Sequence, residues 1–386
     1  MTNGLPPKQA DGSARPSRRR HRSWRLALAA VGAAALAVLL VAGGALGLQL
    51  AMLQSSMPAS SVSRAGHPVP AATLRTVAEF PVGTFLENIA VRADGSMLVT
   101  DLREKQLWYL PAPTGDGTVQ PLLLHTFDQP PFDITETERD VFYVDAATYS
   151  TTHHSHLYRV DLRRWKPGMP VPVRSLLEFP FPISSANGAC APAPNVILVA
   201  DSLIGLIWRI DLSDDGAKTT ARVWLRHASM LPDPFSGKLQ PGINGVEYSA
   251  KTHFLYYTST AQRLFMRVRV DPRTLEPVGD PERLAIGHQW DDFELDENAH
   301  VAYVTTHREN TIERVPLDPG GRQAVQTVVG KPFDPQLVGP SDFAWGPGGG
   351  DPGSVAFVTS DGGYTAPPPD GIVRTAKVLR ADLSTP

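Results

Sequence analysis

From Thr73 onward the chain alternates between short apolar runs and clusters of Gly, Pro, Asp and Asn, and no helical period is sustained. One unit recurs six times: a short strand, a turn, then a stronger strand that ends in a polar residue. The copies read LENIAVRADGSMLVTD from Leu86, PFDITETERDVFYVD from Pro131 and ANGACAPAPNVILVAD from Ala186. They continue as INGVEYSAKTHFLYYT from Ile243, WDDFELDENAHVAYVT from Trp290 and PSDFAWGPGGGDPGSVAFVTSD from Pro340. Each is followed by a third strand, such as QLWYL or LIWRIDL, and most by a fourth, such as PLLLHTF or ARVWLRHA. A spacing of about 50 residues is that of a four-stranded propeller blade. The last copy lacks a fourth strand, while a surplus strand, TLRTVAEFP, precedes the first copy. If the surplus fills the deficit, the ring closes with no exposed edge at its seam. The pattern therefore predicts an all-β, six-bladed β-propeller of four-stranded blades over 73–386, its N-terminal strand closing the last blade. An open sandwich or two smaller barrels would leave the matching surplus and deficit unexplained.

The first residues follow a different pattern. Residues 1–25 carry Lys8, Arg15, Arg18, Arg19, Arg20, Arg22 and Arg25 against Asp11 alone. Leu26 to Leu48 are uncharged and almost wholly apolar, and the run reaches Leu53 with Gln49 interrupting. At ~1.5 Å per residue this spans a hydrocarbon core. A single transmembrane helix over 26–53 is expected, with the basic tail cytoplasmic and the propeller outside the cytoplasm. A cleaved signal peptide is the competing reading, though its apolar region would be only ~7–15 residues long. Residues 54–72, rich in Ser, Pro and Ala, read as a linker.

Composition narrows the function. The chain has 386 residues and a net charge of −3, which argues against a nucleic-acid partner. Its single cysteine, Cys190, excludes a disulfide framework and an all-protein thiolate zinc site, and it reads as packed core. The 32 glycines and 36 prolines suit many strands joined by turns.

Candidate chemistry comes from aligning the copies on their inward apolar positions. Two residues before the first of these stand Glu87, Asn187, Asn244 and Asp291, with Phe132 and Ser341 in the second and sixth copies. Innermost propeller strands all face the central channel, so these heads converge at one end. Two carboxylates and two carboxamides are hard oxygen donors, suited to Ca²⁺ or another hard divalent cation. The alternative is that Asn and Asp at strand starts merely build turns, and Asn187-Gly188 and Asn244-Gly245 are ordinary turn sequences. The loops after each second strand should flank this end. They supply pocket candidates His153, His154, His307, Arg308 and Arg103, although each taken singly reads more readily as a solvated loop residue. GPGGGDPG at 346–353 is a turn insertion, because no Lys-Ser/Thr follows it.

On the Glu87, INGVEYS and WDDFELD strands, the region from Thr73 to Leu383 resembles the superfamily of senescence-marker proteins, gluconolactonases and luciferin-regenerating enzymes. Paraoxonases and diisopropyl fluorophosphatase are relatives of that group, and strictosidine synthase is a more distant one. The resemblance implies a six-bladed propeller whose central metal is held by Glu87, Asn187, Asn244 and Asp291. It also implies hydrolysis of a lactone or related ester, with Asp291 as general base or nucleophile. The histidine that some members carry in the last inner strand is absent, and Ser341-Asp342-Phe343 stands there instead, which disfavours phosphotriesters. The expected partner is a small-molecule lactone or ester. The alternative is a non-catalytic ligand- or protein-binding propeller with a structural metal.

Overall fold

The computed structural model describes residues 72–148, 155–179, 185–213, 218–233, 240–319, 324–347 and 352–383. Among them, 24 strands form six four-stranded antiparallel sheets. Blade one comprises β2 (Leu86–Val91), β3 (Met97–Asp101), β4 (Gln106–Leu110) and β5 (Leu122–Thr126). Blade two comprises β6 (Pro131–Glu138), β7 (Val141–Ala146), β8 (His156–Asp161) and β9 (Val173–Glu178). Blade three comprises β10 (Ala186–Ala193), β11 (Val196–Asp201), β12 (Leu206–Leu212) and β13 (Thr219–Arg226). Blade four comprises β14 (Ile243–Ser249), β15 (Phe254–Ser259), β16 (Leu264–Val270) and β17 (Pro277–Ile286). Blade five comprises β18 (Phe293–Asp296), β19 (Val301–Thr306), β20 (Thr311–Pro316) and β21 (Gln326–Val329). Blade six comprises β22 (Pro340–Trp345), β23 (Val355–Ser360) and β24 (Thr375–Asp382), completed by β1 (Thr73–Val82).

The sixth sheet runs β1-β24-β23-β22, so the surplus strand does fill the deficit. Thr73 pairs with Asp382 and Val82 with Thr375, which ties the two ends of the propeller into one sheet. The predicted six-bladed propeller is thus present. The expected membrane helix lies outside the described residues, and among those no helix is long and apolar enough to cross a membrane.

The core is a ring of apolar wedges, one between each pair of adjacent blades. Between blades two and three, for example, Tyr143 and Leu157 meet Ile197, Val199 and Trp208. Both faces of each second strand are covered, so β3, β7, β11 and β19 are buried at every position. The fourth strands are half-exposed, as β5 illustrates. Cys190 is buried and unpaired, in keeping with its reading as core.

Candidate metal centre at the head of the channel

Five of the six inner strands are broken at the same place, and the remaining one, β18, begins just past it. In the pairing of β2 with β3, Leu86 faces Asp101 and Ile89 faces Val99, so Glu87 and Asn88 together oppose Thr100. The same two-against-one bulge recurs at Phe132-Asp133, Asn187-Gly188, Asn244-Gly245 and Ser341-Asp342. In blade five, Thr305 bonds backbone to backbone with both Asp291 and Asp292. A bulge turns successive side chains that period-two geometry would send to opposite faces. Thr100, Thr258 and Thr359 fill the gap by accepting the N–H of Asn88, Gly245 and Asp342 at 2.9, 2.9 and 3.1 Å. The Asn-Gly pairs therefore lie inside strands, not in turns. Glycine is needed there because a Cβ on Gly188 would lie 2.6 Å from the Asn244 carbonyl oxygen.

The first bulge residue carries the expected ligand set. Glu87, Asn187, Asn244 and Asp291 are all buried. The Asn244 amide donates to an Asp291 carboxylate oxygen. Its nitrogen also donates to Thr260 Oγ1 at 3.0 Å, and Asn187 donates likewise to Ser202 Oγ at 3.0 Å. Those hydroxyls spend their own protons on the next blade: Ser202 donates to the Ile243 carbonyl at 2.6 Å and Thr260 to the Trp290 carbonyl at 2.7 Å. Each hydroxyl can therefore only accept from the amide, which fixes the nitrogen toward it and leaves the amide oxygen as the free end. Asn187 Oδ1, Asn244 Oδ1 and Glu87 Oε2 are buried and accept no hydrogen bond. Buried oxygens without partners are costly.

The electrostatics point the same way. Burial, then the negative charges of Asp291 and Asp292, push the Glu87 carboxyl well above its ordinary range. Burial raises Asp291 to about 6, restrained by His307, the Asn244 hydrogen bond and Arg308. A divalent cation would relieve both, and the four oxygen donors suit calcium's six-to-eight-coordinate shell with room for waters or substrate. Among the described residues no three His, Cys, Asp or Glu side chains form a metal-binding group. The carboxamides are therefore indispensable to a site here. Phe132 packs in the core and the Ser341 hydroxyl donates to the Leu86 carbonyl at 2.7 Å, so neither offers a free oxygen.

The second bulge residues form a layer beneath. Asn88, Asp133 and Asp342 each accept a backbone N–H of the next blade, from Ile134 at 3.2 Å, Ala189 at 3.0 Å and Ile89 at 3.0 Å. These bonds stitch the blades around the axis. A cavity of about 210 Å³ lies in the shaft here, lined by Asn88, Asp133, Asp292 and Asp342, with Glu247 and Glu294 further down. Burial raises Asp342 to about 7 and Glu294 to about 8.

Of the pocket candidates, His307 and Arg308 are brought to Asp291, whose carboxyl feels both positive charges. Arg103 reaches the neighbouring wall, where it donates to the Gly83 carbonyl at 2.9 Å and lies 5.0 Å over the Tyr364 ring. His153 and His154 lie outside the described residues. Sequence reasoning missed Leu102, Ala147, Ser202, Thr260 and Asp361, which share with the candidate His307 the position one step beyond each second strand. Aligning that column would have exposed its polar half, in which Ser202 and Thr260 orient the amides of Asn187 and Asn244.

No protein-family model matches the chain, and no curated protein matches it. Solved structures do. Luciferin-regenerating enzyme aligns at TM-score 0.57 and 13% identity, covering 81% of this chain and 95% of its own. Regucalcin from Agrobacterium tumefaciens, a calcium-binding protein, aligns at 0.55 and 16%, covering 82% and 94%. The PQQ-bound aldose sugar dehydrogenase of Streptomyces coelicolor aligns at 0.53 and 12%, covering 82% and 100%. At such identities the likeness is one of fold. Because that fold also carries a dehydrogenase, chemistry has to be argued from the site.

Proposed function

We propose that this protein is a membrane-anchored hydrolase of the lactonase or esterase type, dependent on a hard divalent cation, calcium by preference. The observation that carries the reading is the set of buried oxygens without hydrogen bonds on Glu87, Asn187 and Asn244, in the same bulge position as Asp291. Calcium is favoured by the all-oxygen donor set, and the fold shared with a calcium-binding regucalcin agrees with it.

A bound cation would polarise the ester carbonyl and stabilise the charge that develops on its oxygen. The protein's own groups would do the rest. Asp291, buried within reach of the charges of His307 and Arg308, accepts the proton of the attacking water. Ser202 and Thr260 keep the amide oxygens of Asn187 and Asn244 turned out as ligands. Arg103 and Tyr364 form one wall for a small-molecule lactone or ester. Residues 26–53 would anchor the chain with the propeller outside the cytoplasm.

The test is a panel of lactones and esters with the full chain, with and without chelator. Turnover should vanish in chelator and return with calcium. Asp291→Asn should lower it by about 10²–10⁴-fold while the melting transition persists. Turnover that survives chelation would end the metal-dependent reading. No turnover anywhere on the panel, together with calcium-raised Tm, would leave a binding propeller with a structural cation.

A further inference from the structure

The column one step past the second strands does more than hold amides. In blades five and six it supplies His307 and Asp361, and these two bond to each other: His307 Nε2 lies 3.1 Å from Asp361 Oδ2. Asp361 is fully buried and heavily constrained. Its Oδ1 accepts Gly363 N–H at 2.7 Å, and its Oδ2 accepts Thr365 N–H at 3.0 Å and the Thr365 hydroxyl at 2.8 Å. Gly339 leaves it the space, since a Cβ there would lie 1.9 Å from Asp361 Oδ1. The imidazole is held as firmly. It stacks on Phe85 at 5.3 Å and 6°, and Thr365 Oγ1 lies 3.3 Å from Nε2. Among the described residues no hydrogen bond to Nδ1 is formed, so Nδ1 is the free end, and the ring stands near enough to Asp291 for the charges to interact.

A buried carboxylate that fixes one ring nitrogen and frees the other is how proteins aim an imidazole at a reacting atom. We propose that His307, oriented by Asp361, is the general acid that protonates the departing alcohol oxygen, an inference that rests on the hydrolase reading above. Water attacks the acyl carbon while Asp291 takes its proton. The acyl C–O bond then breaks, its electron pair stays on the alcohol oxygen, and that oxygen takes the Nδ1 proton of the His307 imidazolium. The Nε2 proton stays on the ring, donated to the Asp361 carboxylate. Asp291 returns its proton to solvent and His307 is reprotonated from solvent, so ester plus water gives acid plus alcohol. The charged groups facing His307 are Asp361 from blade six, Asp291 from the head of blade five and Arg308 in its own turn. Burial opposes the imidazolium and Asp361 and Asp291 favour it, with a net upward displacement.

The experiment compares two substrates of the full chain that differ in the need for an acid: an aliphatic lactone, with a poor alkoxide leaving group, and a nitrophenyl ester, with a good one. His307→Gln should cost the lactone about 10²-fold in kcat and the nitrophenyl ester at least tenfold less than that. Asp361→Asn should reproduce the ordering and move the alkaline limb of the lactone pH profile to lower pH. Equal losses on both substrates would overturn the acid role. Imidazole ¹⁵N spectra of the unmodified chain read the dyad without any turnover. A neutral His307 protonated at Nε2 agrees with it, and one protonated at Nδ1 overturns it. The parent reading fails separately, if wild-type turnover resists chelation.

Discussion

Gly245 shows how tightly the channel head is built. A Cβ there would lie 2.6 Å from Asp292 Oδ1 and 3.0 Å from Asp292 Cα, so the next blade's backbone would have to move. Gly245→Ala should therefore destabilise by about 1–3 kcal/mol, the usual range for overpacking. Because Gly245 follows Asn244, the substitution should also weaken the proposed calcium binding. Calorimetric Tm and a calcium titration check both, and an alanine variant equal to wild type in each would refute the close approach. The proposed ligand set was readable from the sequence, but its support was not. Glu87, Asn187, Asn244 and Asp291 stand in one register of the repeat. Ser202 and Thr260 act only because their protons are already committed to carbonyls of the following blade. No one-dimensional pattern carries that information.

At the scale of the element, the bulge is the device that matters. Strict alternation would send Asp291 and Asp292 to opposite faces of the blade, yet both are buried, each with its charge felt by Glu87. The sequence offered a hint, since polar residues occur in neighbouring columns of the repeat, but period-two reasoning treats one of the two as outward. The seam is the other critical element. β1 pairs with β24 along its whole length and contributes Val77, Ala78 and Phe80 to the wedge between blades six and one. A chain beginning at Gly83 would expose the edge of β24 and open that wedge. It should fail to give a monomeric folded species by size-exclusion chromatography, whereas a chain beginning at Ala72 should give one. A stable monomer from Gly83 would mean that blade six closes without its outer strand.

Across the whole molecule, the axis concentrates buried carboxyls whose folded-state values lie above the ordinary carboxylate range. Burial takes Asp291 to about 6, Asp342 to about 7 and Glu294 to about 8, and raises Glu87, Asp133, Asp292 and Glu247 as well. The sign follows from linkage: a carboxyl that binds its proton more tightly when folded stabilises the fold at low pH and ceases to do so as pH rises through the folded value. In chelator, Tm should accordingly fall between about pH 5 and 8. Under the proposed metal dependence, saturating calcium should recover most of the loss at the alkaline end, because a ligand of the folded state alone stabilises it. Differential scanning calorimetry across that range is the measurement, and a chelated Tm that rises with pH would contradict it. Carboxylates with lowered values, such as Asp161 at about 2, lose their contribution only in stronger acid.

The repeat, the closing strand and the shared register of Glu87, Asn187, Asn244 and Asp291 were legible in the sequence. All of these are local or periodic properties, written in apolar spacing and strand length along one chain. Tertiary structure decided which atoms are left without partners, which hydroxyl turns which amide, and that His307 of blade five meets Asp361 of blade six. Those outcomes depend on contacts between blades about 50 residues apart in sequence, where burial and geometry, not neighbours along the chain, set the chemistry of a side chain.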